Sequence, residues 1–431
     1  MKRKNWIIGL LLLGTILLSG CSMRTIDQMY CLPKRPEGYM NLQSALEKAM
    51  TDLSYHAPVT GENRQPVQMK DLDGDGKDEC LVFAKGSGEN PLKILLFRQV
   101  GEAFVHADTL EGSGTAFEQV DYVHFSDNDG FDLVVTRQIS DQGIRPLVVY
   151  SMENGKMVQI SAMNYMRYLA TDLDADGLDE LMILQRGENT AANGVVNLLR
   201  CQNGEIINEA VRMSVPADSI RRIQVNRLQN GPAAVYLTST WEDDALVTDV
   251  IALRNSSLAN ISLAENSSFS DGTKRNYPVF DEDIDGDGIM EQPELLISTE
   301  NSSNRQHIIC WYSLDINGSK TIKKYTFHNI TAGWYLELSG EIAQSVSVIP
   351  FGNSFEFSMV SDSAQPVRLM TVYAFTGQDR EELAVMENRF VLYRNETTVF
   401  AGDLEVASAA YGMTQEVLIS SFRLVSAEQL D

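Results

Sequence analysis

Asp71-Leu-Asp-Gly-Asp-Gly-Lys-Asp-Glu79 runs directly into Cys80-Leu-Val-Phe83, an acidic turn followed by a short apolar run. The same arrangement returns twice. Asp172-Leu-Asp-Ala-Asp-Gly-Leu-Asp-Glu180 leads into Leu181-Met-Ile-Leu184, and Asp283-Ile-Asp-Gly-Asp-Gly-Ile-Met-Glu291 is followed by Leu295-Leu-Ile-Ser298. The three starts lie 101 and 111 residues apart. Midway between them stand eroded copies, Asp127-Asn-Asp-Gly-Phe-Asp132 before Leu133-Val-Val-Thr136, and Asn226-Arg-Leu-Gln-Asn-Gly231 before Val235-Tyr-Leu-Thr238. The underlying period is therefore about fifty residues.

A second marker checks that period. Apolar runs precede glycine or asparagine turns at Leu95–Phe97 before Gly101, Leu147–Tyr150 before Asn154-Gly155, Val195–Leu199 before Asn203-Gly204, Val250–Leu253 before Asn255, Ile308–Tyr312 before Asn317-Gly318 and Val372–Phe375 before Gly377. Short strands joined by such turns at this spacing predict an all-β fold, a β-propeller built from four-stranded blades. Six units are visible. A hairpin around Asn395-Glu396, joining Arg389–Tyr393 to Thr397–Ala401, predicts an irregular seventh blade completed by N-terminal residues, so that the ring has about seven blades, with six as the alternative. A short helix is expected over Leu42 to Leu53, where Leu42, Ala45, Leu46, Ala49, Met50 and Leu53 share one face, and another near Gln415 to Phe422.

Each acidic turn carries carboxylates at its first, third, fifth and ninth places and glycine at its sixth. Alternate residues of a tight loop converge on one point, and glycine permits the bend. The predicted ligands are Asp71, Asp73, Asp75, Glu79 and the carbonyl of Lys77; Asp172, Asp174, Asp176, Glu180 and the carbonyl of Leu178; and Asp283, Asp285, Asp287, Glu291 and the carbonyl of Ile289. Such all-oxygen sets suit Ca²⁺, one ion per turn and three in all, and not Zn²⁺ or Cu²⁺. An EF-hand is the competing calcium motif, since the third turn also fits D-x-D-x-D-G-x5-E with Glu294 at its twelfth place. Val82 and Ile183 hold that place in the other two turns, and neither side chain can bind calcium.

The D-x-D-G-D-G-x-D-E turn before a short apolar strand, repeated about every fifty residues, resembles the FG-GAP and VCBS repeats of bacterial surface proteins and the propellers of integrin α-subunits. The resemblance spans roughly residues 65 to 380 and implies calcium-rigidified turns within a ring that presents loops to protein or glycan. The Phe-Gly and Gly-Ala-Pro signatures of the integrin form are missing at the expected places.

The amino end makes a separate statement. Lys2, Arg3 and Lys4 precede an apolar run from Trp6 to Leu18, and Leu18-Ser19-Gly20-Cys21 follows. Residues 1–20 are expected to be a signal peptide, and the last four resemble a bacterial lipobox, which implies a diacylglycerol and an N-acyl chain on Cys21. Two or more chains suffice for stable anchoring. Residues 21–40 are then a lipidated stalk, 41–64 a short helix and lead-in, and 65–431 the propeller, held on the outer face of a cell membrane.

Charge and composition bound the partners. The formal net charge is −24, and removal of Lys2, Arg3 and Lys4 takes it to about −27, so nucleic acid is excluded as a partner. The expected partner is an envelope protein or polysaccharide, engaged by a monomer. Cys31, Cys80, Cys201 and Cys310 lie far apart with no metal or redox spacing. The chain has 5 histidines and neither H-E-x-x-H nor G-x-S-x-G, so a binding or scaffold module is expected in place of an enzyme. A carbohydrate-active or other envelope enzyme, with a site in the funnel of the propeller, is the alternative.

Overall fold

A computed structural model describes residues 37–101, 103–139, 145–188, 192–264, 267–296, 308–361 and 364–426. The segment with Cys21, the stalk before residue 37 and Cys31 lie outside the described residues. Six antiparallel sheets follow one another along the chain. The first comprises Ser54–Tyr55, Val67–Lys70, Glu79–Lys85, Leu92–Val100 and Ala103–Gly112; the second Ala116–Val123, Asp132–Gln138, Pro146–Glu153 and Lys156–Asn164; the third Arg167–Thr171, Glu180–Gln185, Val195–Gln202 and Glu205–Arg212. The fourth comprises Ile220–Arg227, Ala233–Thr240, Leu246–Arg254 and Ser257–Asn260. The fifth comprises Glu291–Leu295, Ile308–Leu314, Lys320–Asn329, Trp334–Leu338 and Phe422–Leu424, and the sixth Val346–Phe351, Ser354–Ser361, Ala364–Thr376, Thr398–Leu404 and Phe390–Arg394. The all-β, propeller-like expectation and the unit spacing hold.

Local chemistry explains the hairpins. Asn154 and Gly155 have φ of 49° and 78°, and Asn203 and Gly204 have 53° and 78°, the paired positive values that a two-residue turn requires and that asparagine and glycine tolerate. Strand alternation then sorts the apolar residues onto two faces. Leu81 and Phe83 of the first sheet join Val120, Leu133 and Val135 of the second in one core. Cys80 and Val82 turn the other way, onto a helix at Glu37–Ala49 that contributes Leu42, Ala45 and Leu46.

Four further cores join the second sheet to the third, the third to the fourth, the fourth to the fifth and the fifth to the sixth. At the far end a short helix, Arg380–Leu383, covers the outer face of the sixth sheet through Leu383, next to buried Ala384. Among the described residues no buried cluster joins the sixth sheet to the first, so the shared cores form a linear succession capped at both ends by helices.

Three expectations are corrected here. The hairpin assigned to a seventh blade belongs to the sixth sheet, where Thr398–Leu404 pairs with Ala364–Thr376. The N-terminal strand Ser54–Tyr55 pairs with Glu79–Lys85 of the first sheet and completes no later blade. It is Phe422–Leu424 that travels, passing the sixth sheet to pair with Trp334–Leu338 of the fifth. The helix expected over Leu42 to Leu53 begins and ends earlier, at Glu37–Ala49, and the C-terminal helix is Gln415–Ser421.

Candidate metal centre

The intact acidic turns stand at equivalent places. The first joins Val67–Lys70 to Glu79–Lys85 and the second joins Arg167–Thr171 to Glu180–Gln185. The third enters Glu291–Leu295 after an irregular segment in which Glu282 bridges to Glu291. Each turn is shaped by its first aspartate. Asp71 accepts from the N–H groups of Gly74 and Gly76 at 2.8 and 2.9 Å, Asp172 from Gly177 at 3.1 Å, and Asp283 from Gly286, Asp287 and Gly288 at 2.8, 3.0 and 2.9 Å.

The ninth residue closes the turn from beneath. Glu79, Glu180 and Glu291 are buried, and their Oε2 atoms accept from the N–H of Leu72, Leu173 and Ile284 at 2.9, 2.7 and 3.2 Å. These glutamates are the first residues of their strands, so the sheet itself holds them in place.

The convergence expected from the spacing is present for most of the side chains. Ligand-capable atoms lie within 4.8 Å of one another for Asp71, Asp73 and Glu79; for Asp172, Asp174 and Glu180; and for Asp283, Asp285, Asp287 and Glu291. Asp75 and Asp176 stand outside their clusters. Asp75 instead accepts from the N–H of Lys77 at 2.8 Å and pairs with Lys77 Nζ at 3.3 Å, and Asp176 accepts from the N–H of Leu178 at 2.8 Å. Ile289 donates in the same way to Asp287, at 2.9 Å.

The EF-hand reading fails. A strand follows each turn where a helix would be needed, an irregular segment and no helix precedes the third, and Glu294 lies on Glu291–Leu295 with its carboxylate 2.8 Å from Lys320 Nζ.

Burial raises the proton affinity of the glutamates that close the turns. Burial, reinforced by Asp174 and Asp176, pushes Glu180 up to about 7. Burial with Asp285 and Asp287 takes Glu291 to about 8, and burial raises Glu79. Two buried oxygens, Asp172 Oδ1 and Glu291 Oε1, have no hydrogen-bond partner. A buried acceptor without a donor is costly, and a hard cation is a partner for an all-oxygen set. The residues present therefore fit Ca²⁺.

The sequence did not reveal which basic side chains reach the turns. Arg98, on the strand that pairs with Glu79–Lys85, forms an ion pair with Asp73 and sits 3.8 Å from Glu79. Lys323 pairs with Asp287 at 2.8 Å. Among the described residues the second turn has no ion pair to its carboxylates, and it is also the one whose fourth place is Ala175, at φ 61°, where the others have glycine. Neighbouring turns nest tightly. A Cβ on Gly74 would come within 2.5 Å of Asp129 Cβ in the eroded turn of the second sheet, and Phe131 N–H donates to Asp71 O at 3.2 Å.

Cys80, Cys201 and Cys310 are free thiols, the first and third buried. Among the described residues no helix is long and apolar enough to cross a membrane.

No protein-family profile matches the chain, and no curated protein matches it by sequence. Solved structures do. One is a protein from Lactobacillus plantarum, at 10% identity and TM-score 0.29, covering 73% of this chain and 86% of that one. The exotype rhamnogalacturonan lyase YesX matches at 10% identity and TM-score 0.27, covering 74% and 75%. An exo-β-1,3-galactanase from Phanerochaete chrysosporium matches at 11% identity and TM-score 0.23, covering 78% and 81%. Two of these three structures are of enzymes, a lyase and a galactanase, and the expectation of a non-enzyme is withdrawn. The missing motifs are no ground for excluding catalysis. At these TM-scores the likeness assigns no activity to this chain.

Proposed function

We propose that this protein is a lipid-anchored module on the outer face of a cell membrane, in which FG-GAP- or VCBS-like acidic turns take up Ca²⁺ and stiffen a sheet array that engages envelope polysaccharide or protein. One observation carries the reading: three carboxylate clusters recur at equivalent turns, each closed by a glutamate buried at the start of a strand. Lys77, Leu178 and Ile289 would add their carbonyls, and Cys21 would carry the lipid.

Binding to the folded state alone stabilises it by mass action, about 2.7 kcal/mol for each site at a calcium concentration a hundredfold above Kd. Calorimetry of the full chain with calcium and with chelator is the test. Melting should fall on chelation, and Asp174→Ala should remove part of the difference. Identical melting before and after complete chelation would sink the metal reading.

A second reading, a carbohydrate-active enzyme of the envelope, is favoured by a cavity of about 810 Å³ against the first strand of the fourth sheet. Release of reducing or unsaturated ends from envelope polysaccharides incubated with the protein distinguishes it from binding alone.

A further inference from the structure

In a chain of net charge −24, one cavity is lined by arginines. It has a volume of about 810 Å³ and is bounded by Arg167 at the start of the third sheet, by Arg221, Arg222, Gln224 and Asn226 of Ile220–Arg227, and by Phe280. Arg167 and Ile220 begin strands whose far ends lead into an intact acidic turn or an eroded copy, so the arginines sit at the strand ends remote from those turns.

Two features show that the site is built. The pairing of Ile220–Arg227 with Ala233–Thr240 breaks register between Ile220 and Arg222, leaving Arg221 as the extra residue of a bulge. Successive strand residues ordinarily face opposite ways, and a bulge re-aims one of them. Arg221 and Arg222 both line the cavity, in a run of lining residues that extends from Ile220 to Asn226. In addition, the Arg222 guanidinium stacks on Phe280, 4.1 Å from the ring centroid, which orients its donors without using them.

None of these cations is neutralised. Among the described residues Arg167, Arg221 and Arg222 have no carboxylate within ion-pair distance. By contrast Arg145 and Arg186, which line an adjoining cavity that shares Arg167, lie 3.8 Å from Glu118 and 2.7 Å from Asp218. Unpaired guanidinium groups lining one concave site suit recognition of carboxylate or phosphate. Asn226 Oδ1 accepts from the N–H of Arg227 at 2.8 Å, which leaves the NH2 of that side chain as a donor suited to a hydroxyl group.

We infer that this cavity binds a carboxylate-bearing oligosaccharide, a chain of uronic acid units. The inference names a ligand class for the module role proposed above and rests on it.

Titration calorimetry of the full chain at low salt tests it, with oligogalacturonate and oligomannuronate as probes, and neutral oligogalactose and oligoglycerophosphate as comparisons. The uronates should bind, the neutral sugar should not, and added salt should weaken binding. Arg221→Ala and Arg167→Ala should each weaken it roughly tenfold, the scale of one charge-assisted hydrogen bond, whereas Arg186→Ala should leave it nearly unchanged. All three positions are exposed, so melting should be preserved. No uronate binding, equal binding of the neutral sugar, tighter binding of the phosphate polymer, or indifference to both Arg167→Ala and Arg221→Ala would each overturn the inference. A calcium-dependent melt without uronate binding removes this inference alone, and uronate binding without any calcium response removes the calcium reading alone.

Discussion

Arg275 Nη2 lies 3.4 Å from Asp281 Oδ2, with both side chains almost wholly withdrawn from water. The pair stands where the fifth sheet lacks a regular first strand, and it ties that irregular segment to the fourth sheet. Asp281 accepts from the Thr238 and Thr248 hydroxyls at 2.5 and 2.8 Å, while Arg275 donates to the carbonyls of Val279 and Thr273 at 2.6 and 3.0 Å. Removing one partner of a buried pair leaves an uncompensated charge. Asp281→Ala should therefore lower unfolding stability by about 3–5 kcal/mol, measured by denaturant titration. Replacing both residues with apolar ones should lower it less, and a larger loss in the double variant would contradict this account.

Arg98 acts as a built-in counter-ion for the first acidic turn. With chelator present, Arg98→Ala should be less stable than the parent by about 0.5–1 kcal/mol, the scale of a partly exposed pair. Saturating calcium should erase that deficit, because the ion takes over the charge that Arg98 balances. A deficit of equal size in both conditions would show that Arg98 and calcium do not share the turn.

Ala175 adopts a left-handed backbone that costs a residue with a Cβ about 1–2 kcal/mol. Glycine relieves that strain but adds freedom to the unfolded chain. The net expectation for Ala175→Gly is a gain of about 0.5–1 kcal/mol, read as a raised melting temperature. A lowered one would mean that the turn is held by contacts to the alanine methyl.

Cys21 is tested in cells. Labelled fatty acid should enter the protein, and Cys21→Ala should abolish the labelling and release the chain from the membrane fraction. Labelling that persists in Cys21→Ala would place the lipid elsewhere.

What the sequence made legible was local. Asn154-Gly155 and Asn203-Gly204 announce their turns because those residue types accept positive φ, and the carboxylate clusters follow from the geometry of a few consecutive residues. Partner choice was not legible. The Thr398–Leu404 hairpin was visible, but nothing local states that it pairs with Ala364–Thr376 across an intervening helix. Arg98 reaches Asp73 from 25 residues away, a contact fixed only by strand register. Arg221 is the extra residue of a bulge, which no alternation pattern announces. Asp75 and Asp176 accept from a backbone N–H two residues on and stand outside their clusters, whereas Asp287 accepts in the same way and stands inside its own, a difference that spacing does not announce.

The linear succession of shared cores bears on the order in which the molecule can be made. As the chain leaves the ribosome amino end first, each new sheet finds its predecessor already present and can bury its apolar face at once. The fifth sheet is the exception. Its last strand, Phe422–Leu424, is synthesised more than eighty residues after Trp334–Leu338, the strand it pairs with, so that edge stays open until those residues have emerged. A polypeptide truncated before residue 422 would keep the cores that join the first five sheets, but would lose Phe422 from the core of the fifth and sixth and with it the clasp that crosses the sixth sheet.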